Sequence, residues 1–237
     1  YDGVLVNGSG VEGEGTTARI TQPGTYMITG ICDNGQIQVE LTKEDKAQLV
    51  LGGINLRCQD SAPLYVLSAD KVSLTLAPGS VNTFTDAAVY TRVFEKMPNA
   101  CIYSRDDLTI NGAGTLVVNA QNNNGIGCSN DLKIVGGSIS VIAPKNALKG
   151  NDSVAIMDGS LTLKAGKDGI KSENADEIGK GYVYIAGGAI DISAGDDAIQ
   201  GQQDVTVTGG SVAVSAGGKT VNSKGTQEIV SGVITKK

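Results

Sequence analysis

Histidine and tryptophan are absent from this chain of 237 residues, and phenylalanine occurs twice. Without His there is no Ser-His-Asp triad and no His-based zinc site. The lack of large aromatics excludes a core built on them, though small aliphatic side chains stacked in rows can fill a narrow interior. No apolar run approaches the ~20 residues that cross a bilayer. No basic block exceeds a residue or two, and the net charge is −6. A nucleic-acid partner is therefore disfavoured, because such binding depends on Lys and Arg meeting phosphates. The four cysteines, Cys32, Cys58, Cys101 and Cys128, form no CxxC pair. Their spacing matches neither a zinc site nor a dense disulfide scaffold. They read as buried unpaired thiols. A Cys101–Cys128 or Cys32–Cys58 bridge between neighbouring coils is the alternative. The chain opens at Tyr1 rather than Met, which implies that an upstream segment has been trimmed.

What is abundant is glycine, with 33 residues, together with Val, Ile, Leu, Thr and Ser. The glycines mark a repeat. A corner followed by alternating apolar residues recurs at Gly136-Gly137-Ser-Ile-Ser-Val, Asp158-Gly159-Ser-Leu-Thr-Leu, Gly187-Gly188-Ala-Ile-Asp-Ile, Gly209-Gly210-Ser-Val-Ala-Val and Ser231-Gly232-Val-Ile, at spacings of 22, 29, 22 and 22. The longer interval holds an insertion from Asn174 to Lys180. Single apolar landmarks follow in the same phase: Ile126, Leu148, Ile170, Ile199 and Val221.

Each repeat contains three short strands, such as Ala147–Lys149, Ser153–Ile156 and Ser160–Leu163, the two longer ones alternating apolar with polar or small residues. The expected fold is all-β, a single right-handed parallel β-helix (solenoid) with coils of about 22 residues, stabilised by neighbouring coils. One domain covers residues 1–237, with 1–56 as irregular N-terminal capping coils, 82–99 as a loop and 100–237 as regular coils. Ile156, Ile185 and Val207 should stack in the core.

Such a repeat turns sequence period into spatial columns. Asn124, Asn146, Asp168, Asp197 and Lys219 lie two residues before the landmarks, and Gly127, Lys149, Lys171, Gln200 and Asn222 one after them. One edge thus gathers Asp168, Glu173, Asp196 and Asp197. Stacked carboxylates repel unless a cation or a Lys sits among them. Hard oxygen ligands on turns suit Ca²⁺; equally, Lys167 and Lys171 could neutralise the strip. Asn124 over Asn146 reads as a structural ladder.

Several phrases resemble a known family. They are Ala100-Cys-Ile-Tyr-Ser-Arg-Asp-Asp-Leu-Thr-Ile-Asn-Gly-Ala-Gly-Thr-Leu, Asp168-Gly-Ile-Lys-Ser-Glu-Asn, Gly181-Tyr-Val-Tyr-Ile-Ala-Gly-Gly, Gly195-Asp-Asp-Ala-Ile-Gln and the early Ile20-Thr-Gln-Pro-Gly-Thr-Tyr. Together they resemble the bacterial carbohydrate-binding β-solenoid family, whose characterised type binds cellulose and pectin. The resemblance implies secreted or cell-surface display, Ca²⁺ held among Asp168, Glu173, Asp196 and Asp197, and a fold similar to polysaccharide lyase family 9. Ala198 after Asp196-Asp197, and Lys219-Thr220 in the next repeat, depart from the family pattern.

The expected function is non-catalytic binding of a plant cell-wall or other polysaccharide, pectin-like or cellulosic, assisted by Ca²⁺. Candidate ligand contacts are Tyr182, Tyr184, Lys149 and Lys171; the tyrosines lie on the outward phase of their strand, where ordinary surface tyrosines are the alternative. A cell-surface adhesin or scaffold for a protein or host glycan is a second reading. A calcium-dependent pectate lyase with Lys149 or Lys171 as base is a third.

Overall fold

The structure is a computed structural model that describes residues 3–237. Among the described residues every regular element is a strand. The strands fall into two sheets, one of 17 and one of 10. Pairing is parallel throughout most of the chain. It starts from two antiparallel pairs, Val4–Asn7 on Gly24–Cys32 and Val11–Glu14 on Thr17–Ile20.

This architecture corrects the expectation of one right-handed parallel β-helix with coils of about 22 residues. The strands are divided between two sheets, the entry is antiparallel, and the pairing interval varies. Ile37 pairs with Leu64 and Leu64 with Ile102 before the partners settle into the regular series Ile126, Leu148 and Ile170. The physical reason lies in backbone pairing, which demands a neighbour at about 4.8 Å but not a fixed length of chain between neighbours. The long strand Lys46–Arg57 adds a second cause. It bends at Gly53, whose φ of 101° favours glycine. Its first half pairs with Lys71–Leu76 and its second with Val81–Thr85. Two rows of strands that a sharp corner would separate are thereby joined into the larger sheet.

Within strands the pleat follows the sequence. In Ser138–Ala143, Ile139, Val141 and Ala143 are buried, while Ser138 and Ile142 face out. Parallel register then stacks like on like. Ile110, Ile134, Ile156, Ile185 and Val207 form one buried row. Ile102, Ile126, Leu148, Ile170 and Ile199 form another on the ten-stranded sheet, which Val221 joins half-buried. The four cysteines are buried free thiols, so neither of the considered bridges forms. Burial pushes the Cys58 thiol up to about 11 and the Cys128 thiol to about 12.

The expected loop is shorter than residues 82–99, because Val81–Thr85 is a strand of the larger sheet. The irregular segment is 86–99, and it crosses the outside of the ten-stranded sheet. Phe94 packs edge-on against Tyr65, with ring centroids 5.0 Å apart.

Ile185 is fully buried between Ile156 and Val207. Truncating Ile185→Ala should cost about 2–5 kcal/mol. Thr206→Ala, one residue from this row on the outward phase, should stay within about 0.5 kcal/mol. Urea midpoints of the two variants check the register, and equal effects would contradict it.

Candidate functional site

The ten-stranded sheet shows one row of side chains to the outside. In pairing order it runs Gln38, Tyr65, Tyr103, Gly127, Lys149, Lys171, Gln200 and Asn222. Lys149 and Lys171 are direct neighbours. Their ammonium groups turn to different partners: Lys149 Nζ lies 2.5 Å from Glu173 Oε1, and Lys171 Nζ lies 3.0 Å from Asp168 Oδ2.

Beside this row runs a ladder of buried side-chain oxygens. Asn124 Oδ1 accepts both the backbone N–H of Asn146 (3.2 Å) and its side-chain amide (2.9 Å). Asn146 Oδ1 accepts the N–H of Asp168 at 3.2 Å, Asp168 Oδ1 that of Asp197 at 3.1 Å, and Asp197 Oδ1 that of Lys219 at 2.7 Å. Each repeat therefore satisfies a backbone donor of the next, and buried donors left unmet are expensive. The structural ladder expected of the asparagines extends through Asp168 and Asp197. Their second oxygens are also engaged, Asp168 Oδ2 by Lys171 and Asp197 Oδ2 by the Asn222 amide at 2.6 Å.

Asp196 is exposed beside them. One oxygen from each of Asp168, Asp196 and Asp197 lies within 4.8 Å of the others. The space they face exists because residue 218 is glycine. A Cβ there would fall 2.6 Å from Asp197 Oδ1 and 2.7 Å from Asp196 Oδ1. Converging carboxylates around a cradle that a side chain would fill fit a hard divalent cation such as Ca²⁺. Glu173 is not brought into this group, since its carboxylate faces Lys149. Tyr182 and Tyr184 are not brought to the lysines either. They are half-buried on a strand of the 17-stranded sheet, where Tyr184 pairs with Ala155 and Thr206.

The insertion after Asn174 is pinned by an ionic staple that the sequence pattern did not single out. Lys180 Nζ reaches Asp152 Oδ2 at 2.9 Å and Glu177 Oε2 at 2.8 Å. The Asn174 amide donates to Asp152 Oδ1 at 2.7 Å. Burial raises the Asp152 carboxyl, but the bonds from Asn174 and Lys180 outweigh it and hold the group below its ordinary value. Bonds from Lys180 and Asn174 lower Glu177 as well. Asp152 and Asn174 fall in one 22-residue column, which is the signal the sequence carries for this contact.

A family model described as carbohydrate-binding domain-containing protein matches residues 14–236. A carbohydrate-binding domain-containing protein from Acetivibrio thermocellus is 51% identical over 150 residues, which is 60% of this chain and 52% of that protein. The chain thus spans about half the length of this curated relative. A solved structure, a gadolinium derivative of the polysaccharide lyase-like protein from C. thermocellum, superposes with a TM-score of 0.94 at 49% identity. That match covers 98% of this chain and 94% of the other.

Asn146→Ala removes the acceptor of the Asp168 N–H and should destabilise by about 1–3 kcal/mol in urea unfolding. Asn123→Ala, outside the ladder, should fall within about 0.5 kcal/mol; matching losses would refute the ladder's role. The staple has a pH signature. Asp152 and Glu177 are held below their ordinary values of 3.8 and 4.5. Their stabilisation is therefore present above those values and is lost as pH falls through the lower folded ones. Lys180→Met should be less stable than the parent at neutral pH, and the gap should close in acid. A gap unchanged between pH 7 and pH 2 would show that the staple is not ionic in origin.

Proposed function

Because the chain belongs to the family of carbohydrate-binding domain-containing proteins, we propose that it is a non-catalytic, extracellular polysaccharide-binding protein whose ligand lies along the outer row of the ten-stranded sheet. The observation that carries this reading is the pairing of Lys149 with Lys171 in a row that continues through Gln200 and Asn222. Polar groups repeat there at the spacing of parallel strands, about 4.8 Å. Such a row offers a polymer one hydrogen-bonding group per repeat, and its ammonium groups suit the carboxylates of a pectin-type chain. A cellulosic chain would use the amides and hydroxyl-binding groups of the same row.

Ca²⁺ is assigned to the carboxylate edge, where Asp168, Asp196 and Asp197 would hold it. When bound, it supplies positive charge that can bridge uronate carboxylates to the protein. Lys171 holds Asp168 through Oδ2, so the ammonium and the cation compete for one carboxylate. Displacement from Asp168 would turn Lys171 toward the ligand row beside Lys149.

The lyase reading is less well supported. A lysine is freed to act as a base in an unpartnered, apolar setting. Lys149 and Lys171 are each engaged by a carboxylate instead. Tyr182 and Tyr184 lie on the other sheet and would need a second contact surface.

The test is depletion of the protein by pectate and by cellulose, with and without Ca²⁺, alongside absorbance for unsaturated product. Depletion without product is expected. Unsaturated product would make the protein a lyase, and no depletion by either polymer would end the binding reading. Calorimetry should show Ca²⁺ binding weakened by Asp196→Ala and strengthened by Lys171→Met. At a hundredfold excess over its dissociation constant Ca²⁺ should stabilise by about 2.7 kcal/mol. No heat at millimolar Ca²⁺ would leave the edge as an ion-paired strip.

A further inference from the structure

We propose that the cavity of about 210 Å³ between the 86–99 segment and Lys149 is an end subsite, which takes the terminal sugar of a chain lying on the outer row. The proposal rests on the polysaccharide-binding reading and adds where the bound chain must stop.

Gly127 stands in the outer row between Tyr103 and Lys149, and the space that a side chain would take there is filled by Ala100, Asn99 and Tyr103. A Cβ at this position would meet Ala100 Cβ at 2.8 Å, with Asn99 Oδ1 and Tyr103 Cδ2 at 3.2 Å. The row is therefore covered at Gly127, and the cavity opens between this cover and Lys149. Around it stand Asn99, Tyr103, Ser129, Lys149, Asn151 and Glu173. Tyr103 Oη and Ser129 Oγ share a hydrogen bond of 2.8 Å. Lys149 and Glu173 form their ion pair on the opposite side, with side chains 17% and 39% exposed. The two charges cancel, so the cavity offers donors and acceptors without net charge. That chemistry fits a sugar ring with vicinal hydroxyls. Lys149 can donate to one ring oxygen substituent while Glu173 accepts from the neighbouring O–H.

The row cannot continue past this point. The 86–99 segment covers Tyr65, which donates through its hydroxyl to the Lys96 carbonyl at 2.6 Å. Tyr65 in turn packs against Tyr103 with centroids 5.6 Å apart. The segment is anchored at both ends. Arg92 donates to Asp60 Oδ2 from two nitrogens (3.0 and 3.1 Å) and to Thr17 and Gln36 at 2.9 Å. At the other end the Asn99 carbonyl accepts from Asn124 Nδ2 at 2.8 Å. A polymer running up the row from Asn222 through Gln200, Lys171 and Lys149 thus meets a fixed wall. Its last ring drops into the cavity between Asn99 and Lys149.

The test titrates the whole chain with cellohexaose and with hexagalacturonate. Each is used free, capped by a bulky aromatic group at the reducing end, and capped likewise at the non-reducing end. Calorimetry should show that one of the two caps weakens binding at least tenfold while the other does not. Asn151→Trp, which fills the cavity, should weaken the free oligosaccharide similarly and erase the difference between caps. Glu173→Gln, a gentler change on an exposed side chain, should lower affinity for the free end in the same direction. Equal binding of all three forms, with both variants behaving as the parent, would mean that the chain passes over the cavity and would overturn the subsite. Polymer depletion without binding of either hexamer would overturn it too, while leaving polysaccharide binding intact. Absence of both depletion and hexamer binding would defeat the underlying reading.

Discussion

The parallel backbone register is the constraint on which the rest of this protein depends. Each strand in the regular part donates to and accepts from the strand one repeat away, and partners keep their place from Ile126 through Leu148 and Ile170 to Ile199. A residue at a given phase therefore always meets the same phase above and below. Isoleucine and valine at the inward phases become continuous apolar rows. At the corner, where short strands leave backbone donors without a strand partner, a side-chain oxygen two residues before each landmark takes over the pairing.

That substitution of side chain for backbone explains the carboxylate edge. Asp168 and Asp197 occupy ladder positions that Asn124 and Asn146 fill in earlier repeats, and all four are buried. One oxygen of each is committed to structure. The second oxygens are held by Lys171 and Asn222, and the exposed Asp196 joins the two carboxylates beside Gly218. The edge is thus a structural ladder first and a cation cradle second, with Lys171 standing at the boundary between the two roles.

The 86–99 segment shapes the neighbouring face in a different way. It inserts no strand into the smaller sheet but lies across its outside, tied by Arg92, Tyr65 and Phe94. Tyr65, Phe94 and Tyr103 cluster there, apart from the main core that holds Tyr26 and Phe84. Their packing closes one end of an otherwise open polar row, and the closure distinguishes a terminal position from internal ones.

Much was determined by the sequence alone. Periodicity placed Ile126, Leu148, Ile170, Ile199, Ile156, Ile185 and Val207 in buried rows, because a period of two within strands and of 22 between them leaves no other way to hide those side chains. It also drew Asp168, Asp196 and Asp197 together, since stacking converts spacing into distance. Other features were decided only by tertiary structure. The division into two sheets depends on the bend of Lys46–Arg57, a single strand pairing with two partners. The diversion of Glu173 to Lys149, the staple of Lys180 on Asp152, and the separation of Tyr182 and Tyr184 from the lysines are choices among long side chains or faces at equal phase. Repeat spacing fixes where a Cα stands. Where an ammonium or a carboxylate finally rests is set by the partners that the folded chain brings within reach.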